Sequence, residues 1–159
     1  MRLGIVSDTH GHRLFALEGV RLLQSLDVDV VLHCGDVGGA EIPNLFAAWP
    51  THFVRGNVDR DRELAAAVAE AGQQYHGSFA ALELGDKKIA VLHGDDERRL
   101  RETVACGQWD LVCHGHTHQA VVRREGETLV LNPGALYRAT PHSVAYVELP
   151  ALEATIVPV

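Results

Sequence analysis

Leu3-Gly4-Ile5-Val6-Ser7-Asp8-Thr9-His10 opens the chain with a short apolar run that ends in a carboxylate and an imidazole two residues apart. The apolar part reads as a strand, and the polar part as the loop leaving its C-terminal end. The pattern returns downstream. The β-branched run Val28 to Leu32 reads as a strand buried on both faces, and it leads through His33-Cys34-Gly35 to Asp36. His52 to Val54 leads through Arg55-Gly56 to Asn57. Ile89 to Leu92 leads directly to His93, and Leu111 to Cys113 leads to His116 and His118. In parallel α/β sheets the C-terminal strand ends converge on one crevice, so residues distant in sequence meet there.

Between these strands lie amphipathic segments. Arg13 to Leu26 places Leu14, Leu17, Val20, Leu22 and Leu23 at helical spacing. Ile42 to Trp49 reads as a short helix stopped by Pro50, and Arg60 to Ala71 as a helix ended by Gly72. The second half changes character. Phe79 to Leu84 and Lys87 to Leu92 flank Gly85-Asp86, a hairpin signal. Glu97 to Ala105 reads as a helix. Ala120 to Arg124 and Thr128 to Leu131 flank Glu125-Gly126-Glu127, and Ser143 to Leu149 and Glu153 to Val157 are late strands. An order of βαβαβα followed mostly by β predicts an α/β fold of two stacked, mainly mixed β-sheets flanked by helices. A length of 159 residues predicts one domain, 1–159, large enough to bury its own core.

Composition narrows the function classes. With 47% apolar and 22% charged residues the chain is of ordinary globular type, which excludes a disordered segment. A net charge of −7 repels duplex nucleic acid and anionic membrane over most of the surface. Two bound divalent cations would bring −7 to −3 and concentrate positive charge at one spot. The richest basic cluster, Arg98, Arg99 and Arg101, is expected to form the solvated face of a helix. Cys34, Cys106 and Cys113 are odd in number and contain no C-x-x-C pair, which points to a reducing compartment, the cytoplasm. The N-terminal apolar run is too short for a signal peptide, and no run approaches the length of a membrane span.

The unusual number is 10 histidines. Asp8, His10, Asp36, Asn57, His93, His116 and His118 offer carboxylate, amide and imidazole donors, a set suited to Mn²⁺, Ni²⁺, Fe²⁺, Co²⁺ or Zn²⁺, with Mn²⁺ the first choice. All-oxygen shells, typical of Mg²⁺ and Ca²⁺, do not fit this set. Seven ligands are too many for one ion and suit two that share a carboxylate. Glycine precedes Asp36, Asn57 and His116, where a tight turn would aim the next side chain.

Asp8-Thr9-His10, Gly35-Asp36, Gly56-Asn57-Val58-Asp59, His93-Gly94 and Gly115-His116-Thr117-His118 resemble, in order and spacing, the calcineurin-like metallophosphoesterases. The resemblance runs from Ser7 to Asn132-Pro133-Gly134, and the short length resembles the small bacterial and archaeal phosphodiesterase branch. It implies a four-layer sandwich. It also implies one ion on Asp8, His10, Asp36 and His118, a second on Asp36, Asn57, His93 and His116, and Asp36 as the bridge. The nucleophile it implies is a metal-bridging hydroxide, with no protein nucleophile, and the substrate a small phosphodiester. Many relatives carry a histidine after the asparagine that can protonate the leaving group; here Val58 stands there. His12 is the candidate substrate contact or proton donor outside the ligand set. Asp59 is expected to support its loop.

Taken singly, each residue has a plainer role. Asp8 could cap a helix, Asp36 and Asn57 could be turn residues, and His93 could be a satisfied core histidine. Jointly the five motifs would need five independent coincidences. His33 and His114 are expected to pack or hold loops, and His52, His76 and His142 have no evident partner. Asn132 either approaches the site or simply ends a hairpin. No G-x-S-x-G elbow supports serine catalysis, and no G-K-[ST] follows Gly38-Gly39. Two rivals stand beside the phosphodiesterase reading. One is a protein-interaction scaffold on the same fold. The other is a nuclease of long nucleic acid, disfavoured by the acidic balance. A homo-oligomer stays open.

Overall fold

The computed structural model describes residues 1–159. Strands β1 (Arg2–Val6), β2 (Val30–His33), β3 (Thr51–Phe53) and β4 (Gln74–Tyr75) run parallel in one sheet. Its far side is completed by β10 (Ser143–Glu148), antiparallel to β1, and β11 (Glu153–Pro158), giving the order β11-β10-β1-β2-β3-β4. A second sheet has the order β5-β6-β7-β9-β8, from β5 (Phe79–Leu84), β6 (Lys87–Leu92), β7 (Leu111–Cys113), β8 (Val121–Glu125) and β9 (Thr128–Asn132). Here β6, β7 and β9 are parallel and the two edge strands antiparallel. Both sheets are mixed, as the strand order predicts.

Three apolar clusters define four layers. Leu3, Ile5 and Leu32 of the first sheet meet Ile89, Val91, Leu111, Leu129 and Leu131 of the second, so the largest core lies between the sheets. Val6, Val31 and Phe53 face outward and pack under α1 (Arg13–Ser25), α2 (Ile42–Leu45) and α3 (Asp61–Glu70). Ala90, Leu92, Val112 and Val130 pack under α4 (Glu97–Ala105) through Val104. Every residue of β2 is buried because it has a covered layer on each side.

The differences from the sequence reading are local. The helix expected over Ile42 to Trp49 is a single turn followed by tight i→i+3 bonds from Phe46, Ala47 and Trp49. Through those turns Phe46 and Trp49 still reach the same core as Ile42. Val28 precedes β2 rather than belonging to it, and β4 is only two residues long, too short to show a pattern.

Candidate metal centre

The first sheet delivers Asp8, His10, Asp36 and Asn57, and the second delivers His93, His116 and His118. Ladder bonding continues past the strands into the loops: Asp8 N donates to Gly35 O, His10 N to Asp36 O and Gly11 N to Val37 O, at 3.0, 2.9 and 2.8 Å. Gly115 N donates to His93 O at 2.9 Å, which ties the two histidine loops together. Asp8, His10, Asp36, His116 and His118 all adopt positive φ, between 47° and 69°. Such backbone costs about 1–3 kcal/mol per residue and persists where the surroundings fix it, typically at functional sites.

The donor atoms converge. Asp8 Oδ1 lies 3.1 Å from His118 Nε2, 3.7 Å from His10 Nε2 and 4.0 Å from His93 Nε2. Asp36 Oδ2 lies 3.3 Å from His93 Nε2 and 3.6 Å from His10 Nε2. Asn57 Oδ1 sits 3.1 Å from both His93 Nε2 and His116 Nδ1. The seven residues named from the sequence therefore meet in one place. Within it, Asp8, His10 and His118 group tightly, as do Asp8, Asp36 and His93.

Each donor is aimed by a second contact. Asp8 Oδ2 accepts from Ser7 Oγ at 2.6 Å and from His116 N at 3.1 Å, whereas Oδ1 is buried with no hydrogen-bond partner. Leaving a buried carboxylate oxygen unpaired is costly, and a cation is the group that would satisfy it. Asp36 Oδ1 accepts from Val58 N at 3.0 Å, turning Oδ2 toward the histidines. His93 Nδ1–H donates to Cys34 O at 2.8 Å, and His118 Nδ1 faces Arg138 O at 3.2 Å; both leave Nε2 with its lone pair toward the centre. At His93 burial disfavours the charged form, but the Asp36 hydrogen bond and the Asp36 and Asp8 charges outweigh it and raise its pKa. Asp36 is likewise opposed by burial, yet His93 and the Val58 N–H hold it below the usual carboxylate range.

Two glycines are required by close approach. A methyl group on Gly56 would overlap Asp36 Oδ1, and one on Gly115 would overlap Ser7 Oγ. Asp59 supports the loops more directly than its place in the sequence suggests. Its carboxylate accepts from Val37 N and Gly56 N through Oδ2, at 3.1 and 2.8 Å, and from Gly38 N through Oδ1 at 2.9 Å. One side chain thus ties the Asp36 loop to the Asn57 loop.

Other residues resolve differently. Asn132 braces the site: its Nδ2 donates to Gly115 O at 2.9 Å and Thr117 Oγ1 at 3.0 Å. The Asn-Pro-Gly turn was its only signal. His33 is wholly buried, 3.1 Å from Thr9 Oγ1 and stacked on Phe53, and burial pushes its pKa down to about 3. His52 and His76 partner each other at 2.9 Å, and His142 packs on Phe15. The ring of His12 is sandwiched between Phe15 and Tyr137, with Tyr137 next to His10. Of the basic trio, Arg98 and Arg101 form surface pairs with Glu102 and Glu97, as a solvated face would. Arg99 departs from that expectation: it folds over Phe79 and bonds Ser78, because the first turn of α4 abuts β5.

The sequence profile of the calcineurin-like phosphoesterase superfamily domain matches residues 1–151, and the chain belongs to that family. It is a metal-dependent phosphoesterase; the family binds divalent metal ions. The chain is 29% identical over 138 residues to phosphodiesterase MJ0936 of Methanocaldococcus jannaschii, covering 84% of this chain and 83% of that protein. A solved archaeal phosphodiesterase superposes with a TM-score of 0.91 at 25% identity over the full length of both chains. Vps29 of Entamoeba histolytica, solved with zinc, shares the fold with a TM-score of 0.71 at 21% identity, covering 98% of this chain and 90% of that one. No helix is long and apolar enough to cross a membrane.

Proposed function

We propose that the chain hydrolyses small phosphodiesters at a dinuclear centre. One ion is held by Asp8, His10, Asp36 and His118, the other by Asp36, Asn57, His93 and His116, with Asp36 shared. The observation that carries this reading is the buried, unpartnered Asp8 Oδ1 aimed into the space that three imidazole Nε2 atoms also face. The donor set favours manganese, with nickel, iron, cobalt and zinc as alternatives. Divalent ions in such a site make water nucleophilic near neutral pH and neutralise phosphate oxygens. The chain's own contribution is placement: Ser7, Cys34, Val58 and Arg138 orient the donors, and Asp59 ties their loops together. Diesters are favoured over phosphoproteins because Val58 offers no proton to a poor leaving group, and because a relative is a phosphodiesterase. We read residues 1–159 as one cytoplasmic domain.

The test is elemental analysis of protein purified with manganese supplied, followed by turnover of mono- and diesters. The expected result is about two ions per chain, as in two-metal phosphoesterases, with diester hydrolysis abolished by a chelator. Metal content near zero together with no turnover would leave the scaffold reading in its place.

A further inference from the structure

Beside the His93 edge of the ligand ring lies a cavity of about 250 Å³ walled by Arg55, Ser78, His93, Gly94, Asp95 and Arg99. Both arginines are fixed in place by neighbours. Arg55 Nε lies 3.4 Å from Asp61 Oδ1, which also accepts the Tyr75 hydroxyl at 2.7 Å. Arg99 Nη1 donates to Ser78 Oγ at 3.0 Å, and its guanidinium carbon lies 4.9 Å from the Phe79 ring centroid. Asp96, also on the wall, is turned to the helix, where its Oδ1 accepts Arg99 N at 3.0 Å. Asp95 pairs with neither arginine. Apart from the Arg55–Asp61 contact, neither guanidinium is paired with a carboxylate.

Chain order explains the placement. Arg55 directly precedes Gly56-Asn57, and Arg99 lies on the first turn of the helix that follows His93-Gly94. Arg55 therefore rides on the loop that carries Asn57, and Arg99 on the helix that follows the His93 loop. A phosphate held beside His93 has this adjoining cavity as room for a group esterified to it. Guanidinium forks match phosphate oxygens in geometry and retain their charge at any working pH.

We propose that this cavity is a subsite for a second phosphate on the substrate, gripped by Arg55 and Arg99; it rests on the phosphoesterase reading of the adjoining site. Asp95 on the rim opposes an anion there and sets a limit on its affinity.

The test compares thymidine 3′,5′-bisphosphate with thymidine 5′-phosphate by calorimetry on the manganese-loaded full chain. The bisphosphate should bind about tenfold tighter, the lower end of what hydrogen bonds to a charged group supply. Arg99→Gln, at an exposed position, should erase that difference, and Asp95→Asn should widen it. Equal affinities in the native protein, or a difference that survives Arg99→Gln, overturn the subsite. The p-nitrophenyl 5′-esters of the same two nucleotides separate the two readings. Failure to turn over either ester sinks the phosphoesterase reading, while the calorimetry still decides the subsite.

Discussion

Asp36 and Asp59 are both acidic, lie on adjoining loops and differ in what they touch. Asp36 points one oxygen at His10 and His93, while Asp59 is occupied by three backbone N–H groups. Asp36→Asn should abolish paired metal binding and nearly all turnover. Asp59→Asn keeps an acceptor for some of those N–H groups and should lose about 10–100-fold, the usual cost of removing a supporting group. Metal stoichiometry and kcat measured on both variants decide this; equal, mild losses would mean the ligand assignment is wrong. Val58, exposed beside Asn57, leads to a second outcome. With no imidazole there, aryl diesters should outrun alkyl ones, and rate should fall steeply with leaving-group pKa. Val58→His should raise turnover of poor leaving groups, by at most the roughly 10²–10⁴-fold that a general acid supplies. A flat slope under chemistry-limited conditions would point to another proton donor, with His12 the first residue to substitute. At this scale the sequence was most legible for the residues that meet at the site, because five short motifs each followed a strand. It was least legible for Asn132, Ser7 and Arg99, whose roles depend on contacts across loops that no local pattern announces.

Among the elements, β3 and the turn after β4 carry a paired titration. Burial, and then the charge of His76, lower the His52 pKa from 6.5 to about 4, and burial lowers that of His76 as well. The folded pKa lies below the unfolded one, so between pH 6.5 and about 4 the unfolded chain binds more protons. The stability contribution is complete above pH 6.5 and drains away as pH falls toward 4. Thermal unfolding of the metal-free protein should therefore show a smaller drop from pH 7 to pH 4.5 in His52→Gln than in the native chain. Parallel pH curves would refute the assignment. Neither imidazole had a nameable partner in the sequence, since β4 is two residues long and its pairing with β3 leaves no periodic trace. The longer elements were readable because α1 and α4 carry apolar faces and β5–β6 a Gly-Asp turn. The segment after Ile42 was not, because its apolar residues suit helical spacing and tight turns equally.

For the molecule as a whole, the decisive feature is that four donors come from one sheet and three from the other, with an apolar core filling the space between the sheets. The strand order made both sheets visible in advance; their relative placement, set by the shapes of Leu3, Leu32, Leu111 and their neighbours, was not written in any motif. Because the sheets are separate slabs, ions held by the proposed ligands would act as rivets through a laminate. A side chain in the interleaf then becomes a remote determinant of ion affinity. Leu111→Ala, at the end of β7 away from His116, and Leu23→Ala, on the buried face of α1, each empty a fully buried site and should each cost about 2–5 kcal/mol in metal-free protein. Only the first loosens the spacing between the slabs. It should weaken manganese binding severalfold beyond the second, and hydrogen exchange along β6 and β7 should slow on metal addition more than exchange in α1. Equal manganese affinities in the two variants would show that the slabs keep their spacing without help from the interleaf.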